Sequence, residues 1–367
     1  MNRPSGLLLP FFLLILISRN TEASDSVRQV MDRMTDEQKA AQLILVYYTD
    51  PAFVSDNDFG GVLIMQNMLK HPGTLKAGLA RMQERSHIGV LVSIDQEGGR
   101  VNRMKRLPGW EKTPSAAEMS RWPAERIRNH AKRMARVLHD MGINMNLAPV
   151  LDPATDHEKK PTFMALKKRS FGNPPDDVVE KAGAYVEGFQ SQGIISISKH
   201  FPGYDVVQNS DHEIAISRAP SWAIQSHVIP FQRLARKVSG VMLSSIIYEK
   251  YTSNPAVFSS RFTNTARNLH PDGLLITDDL WGRALRLWTR EKKEDDQILT
   301  LTYRAIKTGN DLLMMTHPQK AVLMKAAIVN WMKEEPEFRS RVDDAVRRVL
   351  MLKSRMGLVK DIKAPRR

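Results

Sequence analysis

The 367-residue sequence contains no cysteine, which excludes disulfide frameworks, thiolate metal centres, cysteine nucleophiles and a lipidated N-terminal cysteine. Aromatic residues are sparse at 7%, and beyond residue 17 no apolar run is long enough to span a bilayer as a helix. Acidic residues are also in short supply: 40 Asp and Glu stand against 54 Lys and Arg, a formal net charge of +14. No Gly-x-Gly-x-x-Gly follows the first strand-like run, so a dinucleotide-binding fold has little support. What remains, 42% hydrophobic and 26% charged residues, is the composition of an ordinary globular chain.

The first segment stands apart. Arg3 precedes an apolar run from Gly6 to Ile17, and Thr21-Glu22-Ala23 forms a small-x-Ala cleavage site. Residues 1–23 therefore read as a signal peptide and the protein as exported, periplasmic or secreted. Removing Arg3, Arg19 and Glu22 with the leader lowers the net charge from +14 to +13. That charge favours weak association with anionic envelope surfaces. The densest basic stretch, Arg126, Arg128, Lys132, Arg133 and Arg136, shares its segment with Ala131, Met134, Val137 and Leu138. It reads as the solvated face of an amphipathic helix, and no nucleic-acid-binding signature accompanies it.

After the leader, eight short apolar runs alternate with helical patterns: Leu43–Tyr47, Gly61–Met65, Val90–Ile94, Ile143–Leu147, Ile194–Ser198, Gly240–Ser244, Leu274–Thr277 and Asp311–Met315. Thr35-x-x-Gln38 offers a capping box for the helix before the first strand. Asp177-x-x-Glu180 offers another before the helical run Val178, Ala182, Tyr185, Val186 and Phe189. A last helix is expected from Val342 to Met356, stopped by Gly357. Eight strand signals alternating with helices predict an α/β protein, a (β/α)8 TIM barrel in one domain over residues 24–367. A doubly wound open sheet is the alternative.

In such a barrel, catalytic groups gather at the C-terminal ends of the strands. Three strand ends here are unusually polar: Asp95-Gln96-Glu97-Gly98-Gly99-Arg100, Lys199-His200-Phe201-Pro202-Gly203 with Ser210-Asp211-His212 on its loop, and Thr277-Asp278-Asp279. Each has a plainer explanation: Asp279 fits a helix N-cap, Lys199-His200 a packed pair, and His212 a solvated loop residue. Together they place a carboxylate, a proton-transfer group and several donors at one mouth. That set suits a polyhydroxylated substrate passing through a cationic transition state.

Asp95-Gln96-Glu97-Gly98-Gly99-Arg100-Val101, Leu147-Ala148-Pro149-Val150-Leu151-Asp152, Arg169-Ser170-Phe171, Lys199-His200-Phe201-Pro202-Gly203 and Thr277-Asp278-Asp279-Leu280 follow one another in the order of glycoside hydrolase family 3. The chain resembles the single-domain β-N-acetylglucosaminidase, or β-hexosaminidase, branch of that family. The resemblance implies a retaining exo-β-N-acetylhexosaminidase that acts on peptidoglycan fragments or chitin-type oligosaccharides through a covalent glycosyl-enzyme intermediate. It implies Asp278 as nucleophile, with Asp95, Arg103, Arg169, Lys199 and His200 holding the terminal sugar. No metal or organic cofactor is implied, and a monomer is expected. With no residues left over for a second domain, the proton donor is expected on a barrel loop, where His212 matches the single-domain pattern.

Two departures stand out. The related loop carries Asp-Ser-His, the Asp orienting the His, where this chain has Ser210-Asp211-His212. Asp211 or Asp205 could support His212, His212 could act alone, or the protein could bind amino sugars without turning them over. Phosphorolysis is a further alternative to hydrolysis. The segment Asp156–Lys168, longer than the family pattern, carries Lys159, Lys160, Lys167 and Lys168 and could cover the site or lie on the surface as a loop.

Overall fold

The computed structural model describes residues 25–359. The expected signal peptide, residues 1–23, lies outside the described residues. Among the described residues ten strands occur: β1 (Ile44–Tyr47), β2 (Gly61–Ile64), β3 (Leu91–Ile94), β4 (Met145–Asn146), β5 (Ile195–Phe201), β6 (Ile216–Ser217), β7 (Gly240–Leu243), β8 (Ile247–Tyr248), β9 (Leu274–Thr277) and β10 (Leu313–Met315). Eight pair in parallel in the order β10-β1-β2-β3-β4-β5-β7-β9. A parallel bridge between Ile276 and Leu312 joins β9 to β10 and closes the ring. The molecule is a (β/α)8 barrel, and all eight expected runs contribute its strands. Those runs are continuously apolar because each strand is covered by helices outside and by core side chains inside; β2, β3, β7 and β9 are buried throughout.

β6 and β8 form a separate two-stranded parallel ribbon in the loops after β5 and β7. The seam between β9 and β10 carries backbone hydrogen bonds from the N–H groups of Asp311, Leu312, Thr277 and Leu280, and two aspartates reinforce it. At one end Asp311 accepts from the backbone N–H of Leu275 at 2.9 Å, and Arg267, Arg341 and Arg348 surround its carboxylate. At the mouth, Asp279 accepts from the backbone N–H of Thr316 at 3.1 Å and from its hydroxyl at 2.5 Å.

The helices follow their sequence signals with two corrections. Thr35 caps the helix Asp36–Gln42 through the expected box, its hydroxyl accepting from the Gln38 N–H at 3.2 Å. Asp177, by contrast, is no cap. The helix Pro175–Gln190 begins three residues earlier with Pro174 as N-cap, because proline fits the first turn, where no N–H partner is needed. Asp176 and Asp177 then sit in that turn, against the positive end of the helix. The last helix runs from Pro336 to Arg355, started by a proline six residues before the apolar pattern, and Gly357 follows it at φ +69°.

The helix Ala124–Asp140 buries Ile127, Ala131, Met134 and Leu138 and turns its basic residues outward. Arg128 reaches Glu187 on the neighbouring helix at 2.6–2.8 Å. The two helices meet closely at Gly188, where a Cβ would lie 2.5 Å from the Ala131 Cβ. No helix among the described residues is long and apolar enough to cross a membrane.

Candidate active site

Three strand ends build a cavity of about 300 Å³ at the C-terminal mouth of the barrel. It is floored by Leu63, Met242 and Met314 and walled by Asp95, Glu97, Arg103, Arg169, Lys199, His200, Asp211 and Asp278. Seven of the eight residues expected in the site therefore meet in one place. The eighth, His212, is exposed and lies outside the lining.

Asp95 and Glu97 follow β3 at a spacing of two, so both carboxylates face the cavity. The chain then turns sharply at Gly98 and Gly99, at φ +99° and +57°, a conformation that favours glycine. A Cβ on Gly98 would meet the Pro114 carbonyl oxygen at 2.1 Å. Buried Gln96 fixes the returning loop: its side-chain oxygen accepts from the N–H groups of Arg103 and Met104 at 2.9 and 3.2 Å. This brings the Arg103 guanidinium to 3.4 Å from the Asp95 carboxylate.

Lys199 and His200 are consecutive, yet both line the cavity, against the usual alternation of a strand. The pairing of β5 with β7 shifts register between Ser198 and Phe201, and that irregularity aims both side chains at the mouth. The Lys199 ammonium lies 2.7 Å from both Asp95 and Glu97. Arg169 grips Glu97 with two hydrogen bonds of 2.8 and 2.9 Å. Burial alone would raise the Glu97 carboxyl, but Arg169 and Lys199 outweigh it and hold the group well below the usual carboxylate range. Asp95 is likewise lowered, with Lys199 and Arg103 overcoming its burial. Lys199 is kept charged by its two carboxylate partners despite complete enclosure.

Asp152, quoted only as part of a motif, proves to be a positioning residue. Fully buried, it accepts from the backbone N–H groups of His200 and Tyr204 at 2.9 and 2.8 Å. Its other oxygen lies 2.7 Å from His200 Nδ1. This contact keeps the ring proton at Nδ1 and leaves Nε2 for the cavity.

Asp278 directly follows β9. Its Oδ1 accepts from the Asp279 N–H at 2.9 Å, and the carboxyl is pushed up to about 6 by burial and by the negative charge of Asp211. His200 and Lys199 pull in the opposite direction. Asp279 is not a helix N-cap, since Gly282 holds that position before Arg283–Thr289; besides Thr316 it accepts from the Trp281 N–H at 3.0 Å within the turn after β9.

The long segment Asp156–Lys168 does wall the site, through apolar atoms. Thr162 caps a one-turn helix, Phe163–Leu166, which presents Phe163 and Met164 to the cavity. Phe163 stacks on Tyr204 with ring centroids 5.8 Å apart, and Lys167 lies over its ring at 5.4 Å. None of the four lysines lines the cavity itself. Asp205 does not support His212 either. It is buried, accepts from the Ser217 hydroxyl at 2.8 Å, and is pushed up to about 6 by burial.

A carboxylate ringed by ammonium and guanidinium donors and an imidazole at the mouth of a (β/α)8 barrel is the arrangement of a glycoside hydrolase. Residues 35–352 match the model of the glycosyl hydrolase family 3 N terminal domain, and the chain belongs to glycoside hydrolase family 3. It is similar to a β-hexosaminidase of Pseudomonas aeruginosa, 30% identical over 230 residues, covering 61% of this chain and 67% of that one. The β-hexosaminidase LpqI of Mycobacterium tuberculosis is 30% identical over 267 residues, covering 68% and 67%. The solved β-N-acetylhexosaminidase of Beutenbergia cavernae superposes with a TM-score of 0.75 at 26% identity, covering 88% of this chain and 99% of that one.

Proposed function

We propose that this chain is a retaining exo-β-N-acetylhexosaminidase that releases terminal N-acetylglucosamine from peptidoglycan-derived or chitin-type oligosaccharides. The observation that carries the reading is Asp278 standing in the same small cavity as the Asp95–Lys199–Glu97–Arg169 network and His200. Lys199 and Arg103 offer donors to sugar hydroxyl oxygens, while Asp95 accepts from a hydroxyl pair. These are charge-assisted bonds, so they fix the ring and disfavour epimers. A cavity floored by the barrel core suits a terminal residue better than a chain passing through.

Asp278, ionised, attacks the anomeric carbon and forms the glycosyl-enzyme; water then releases the sugar with its configuration kept. His200 and Lys199, both turned toward Asp278, favour that ionised form. The leader and the positive charge support an exported protein working near an anionic envelope. A fluorinated N-acetylglucosaminide trap followed by peptide mapping tests the reading. Label on Asp278 is expected. Binding of N-acetylglucosamine with no turnover and no label would instead point to a silent amino-sugar receptor, and sugar phosphate formed in phosphate buffer would point to phosphorolysis.

A further inference from the structure

Resting on that retaining reading, we propose that the proton donor to the leaving oxygen is the carboxyl group of Asp211, with the imidazole of His212 turned away from the reaction. The argument begins at Tyr204. Its phenol is buried, donates to the Gln208 carbonyl and accepts from the Ser210 N–H at 2.7 Å. Asn209 then winds the chain through one turn: its carbonyl accepts from the N–H groups of His212 and Glu213 at 3.0 and 3.1 Å, and its side chain accepts from the Asp211 N–H at 3.1 Å. The Arg283 N–H donates to the Asp211 carbonyl at 3.1 Å, tying this turn to the helix Arg283–Thr289, which follows β9 and Asp278.

Asp211 is thereby fixed from both sides at the rim of the cavity that holds Asp278. His212, one residue on, is exposed, and its ring makes no hydrogen bond among the described residues. The two carboxyl groups are close enough for the charge of Asp211 to raise Asp278. Lys199 and His200 favour the ionised form of Asp278.

The bookkeeping of bonds is complete with these two residues and water. The Asp211 carboxyl proton passes to the glycosidic oxygen as the C1–O bond breaks, its electron pair staying with that oxygen, and an Asp278 oxygen bonds to C1. The aglycone leaves as an alcohol. Water then gives one proton to the Asp211 carboxylate while its oxygen bonds to C1, and the C1–O bond to Asp278 breaks with its electrons returning to the carboxylate. The sugar departs, and Asp211 is again protonated.

The test compares Asp211→Ala with His212→Ala on phenyl and 2,4-dinitrophenyl N-acetylglucosaminides, with and without sodium azide. For Asp211→Ala, kcat/KM is expected to fall by roughly 10²–10⁴-fold on the phenyl glycoside and much less on the dinitrophenyl one, which needs no proton. Azide should accelerate its turnover and yield the β-glycosyl azide, a product that a merely structural defect would not give. Asp211→Asn, which preserves the turn, should show the same leaving-group dependence. Equal slowing of both substrates without azide product, or this signature on His212→Ala and not on Asp211→Ala, would overturn the proposal while labelled Asp278 upheld the hexosaminidase reading. A wild-type protein that neither cleaves the dinitrophenyl substrate nor takes label would end both.

Discussion

Replacing Asp152 by Asn probes how the fold controls the sugar site without touching the sugar. One Asp152 oxygen serves two backbone donors, the N–H groups of His200 and Tyr204, and the other serves His200 Nδ1. Asparagine keeps a single oxygen, and two donors outcompete one for it, so its amide nitrogen must face the imidazole. The ring proton then moves to Nε2, and the nitrogen that faces the cavity changes from acceptor to donor. Losing one hydrogen bond between neutral groups, the imidazole nitrogen and a sugar hydroxyl, costs about 0.5–1.5 kcal/mol. At about 1.4 kcal/mol per tenfold, kcat/KM should fall roughly 2- to 13-fold. Because both backbone hydrogen bonds survive, the melting temperature should move little. Kinetics on an aryl N-acetylglucosaminide give the first number, and nitrogen-15 shifts of His200 report the tautomer. A tautomer that switches while kcat/KM stays at the wild-type value would refute the reasoning.

Three further outcomes follow from the geometry. Asp278→Asn should abolish turnover yet raise the melting temperature at pH 7.5, since ionising this enclosed carboxyl opposes folding above pH about 6. The gain should fade as pH falls from about 6 towards 4, and a thermal series across that range checks it. Glu97→Gln leaves Lys199 and Arg169 without the anion they share, so calorimetry should show a loss of about 3–5 kcal/mol. Glu97 is depressed in the folded state, so its contribution is present above its ordinary range and the difference between wild type and variant should narrow in acid below that range. Gly188→Leu drives a side chain into Ala131 and the backbone of the neighbouring helix, and should lower stability by about 1–3 kcal/mol while the kcat of the folded fraction is kept.

The barrel was readable because its strands are buried on both faces and so appear as unbroken apolar runs, whatever their neighbours. β4 pairs only through Met145 and Asn146, but its flanks, Ile143 and Leu147, are buried and kept the run visible. The site was readable at the strand ends, where Asp95, Lys199 and Asp278 interrupt those runs with charge. Asp152 was less visible, since its partners lie 48 and 52 residues away and nothing local marks a carboxylate as an orienting group. Glu97 was hidden for a similar reason: its meaning depends on Arg169, 72 residues on. The orientation of Ser210-Asp211-His212 could not be read from its spacing. A phenol at Tyr204 gathers that loop, and only the folded turn shows that Ser210 and Asp211 line the cavity while His212 does not.

Asp278 and Asp279 look interchangeable in the chain, and an alanine scan would record both as inactive. The two failures would nonetheless be different events. Asp279 reinforces the mouth of the β9–β10 seam through Thr316, so its loss is expected to show in yield, protease sensitivity and melting. Removing the Asp278 side chain leaves the seam intact and produces a well-folded protein that still holds its sugar. Activity measured per milligram of purified material cannot tell these apart. Activity normalised to titrated binding sites can, and it divides adjacent identical residues into the proposed nucleophile and one that reinforces the barrel seam.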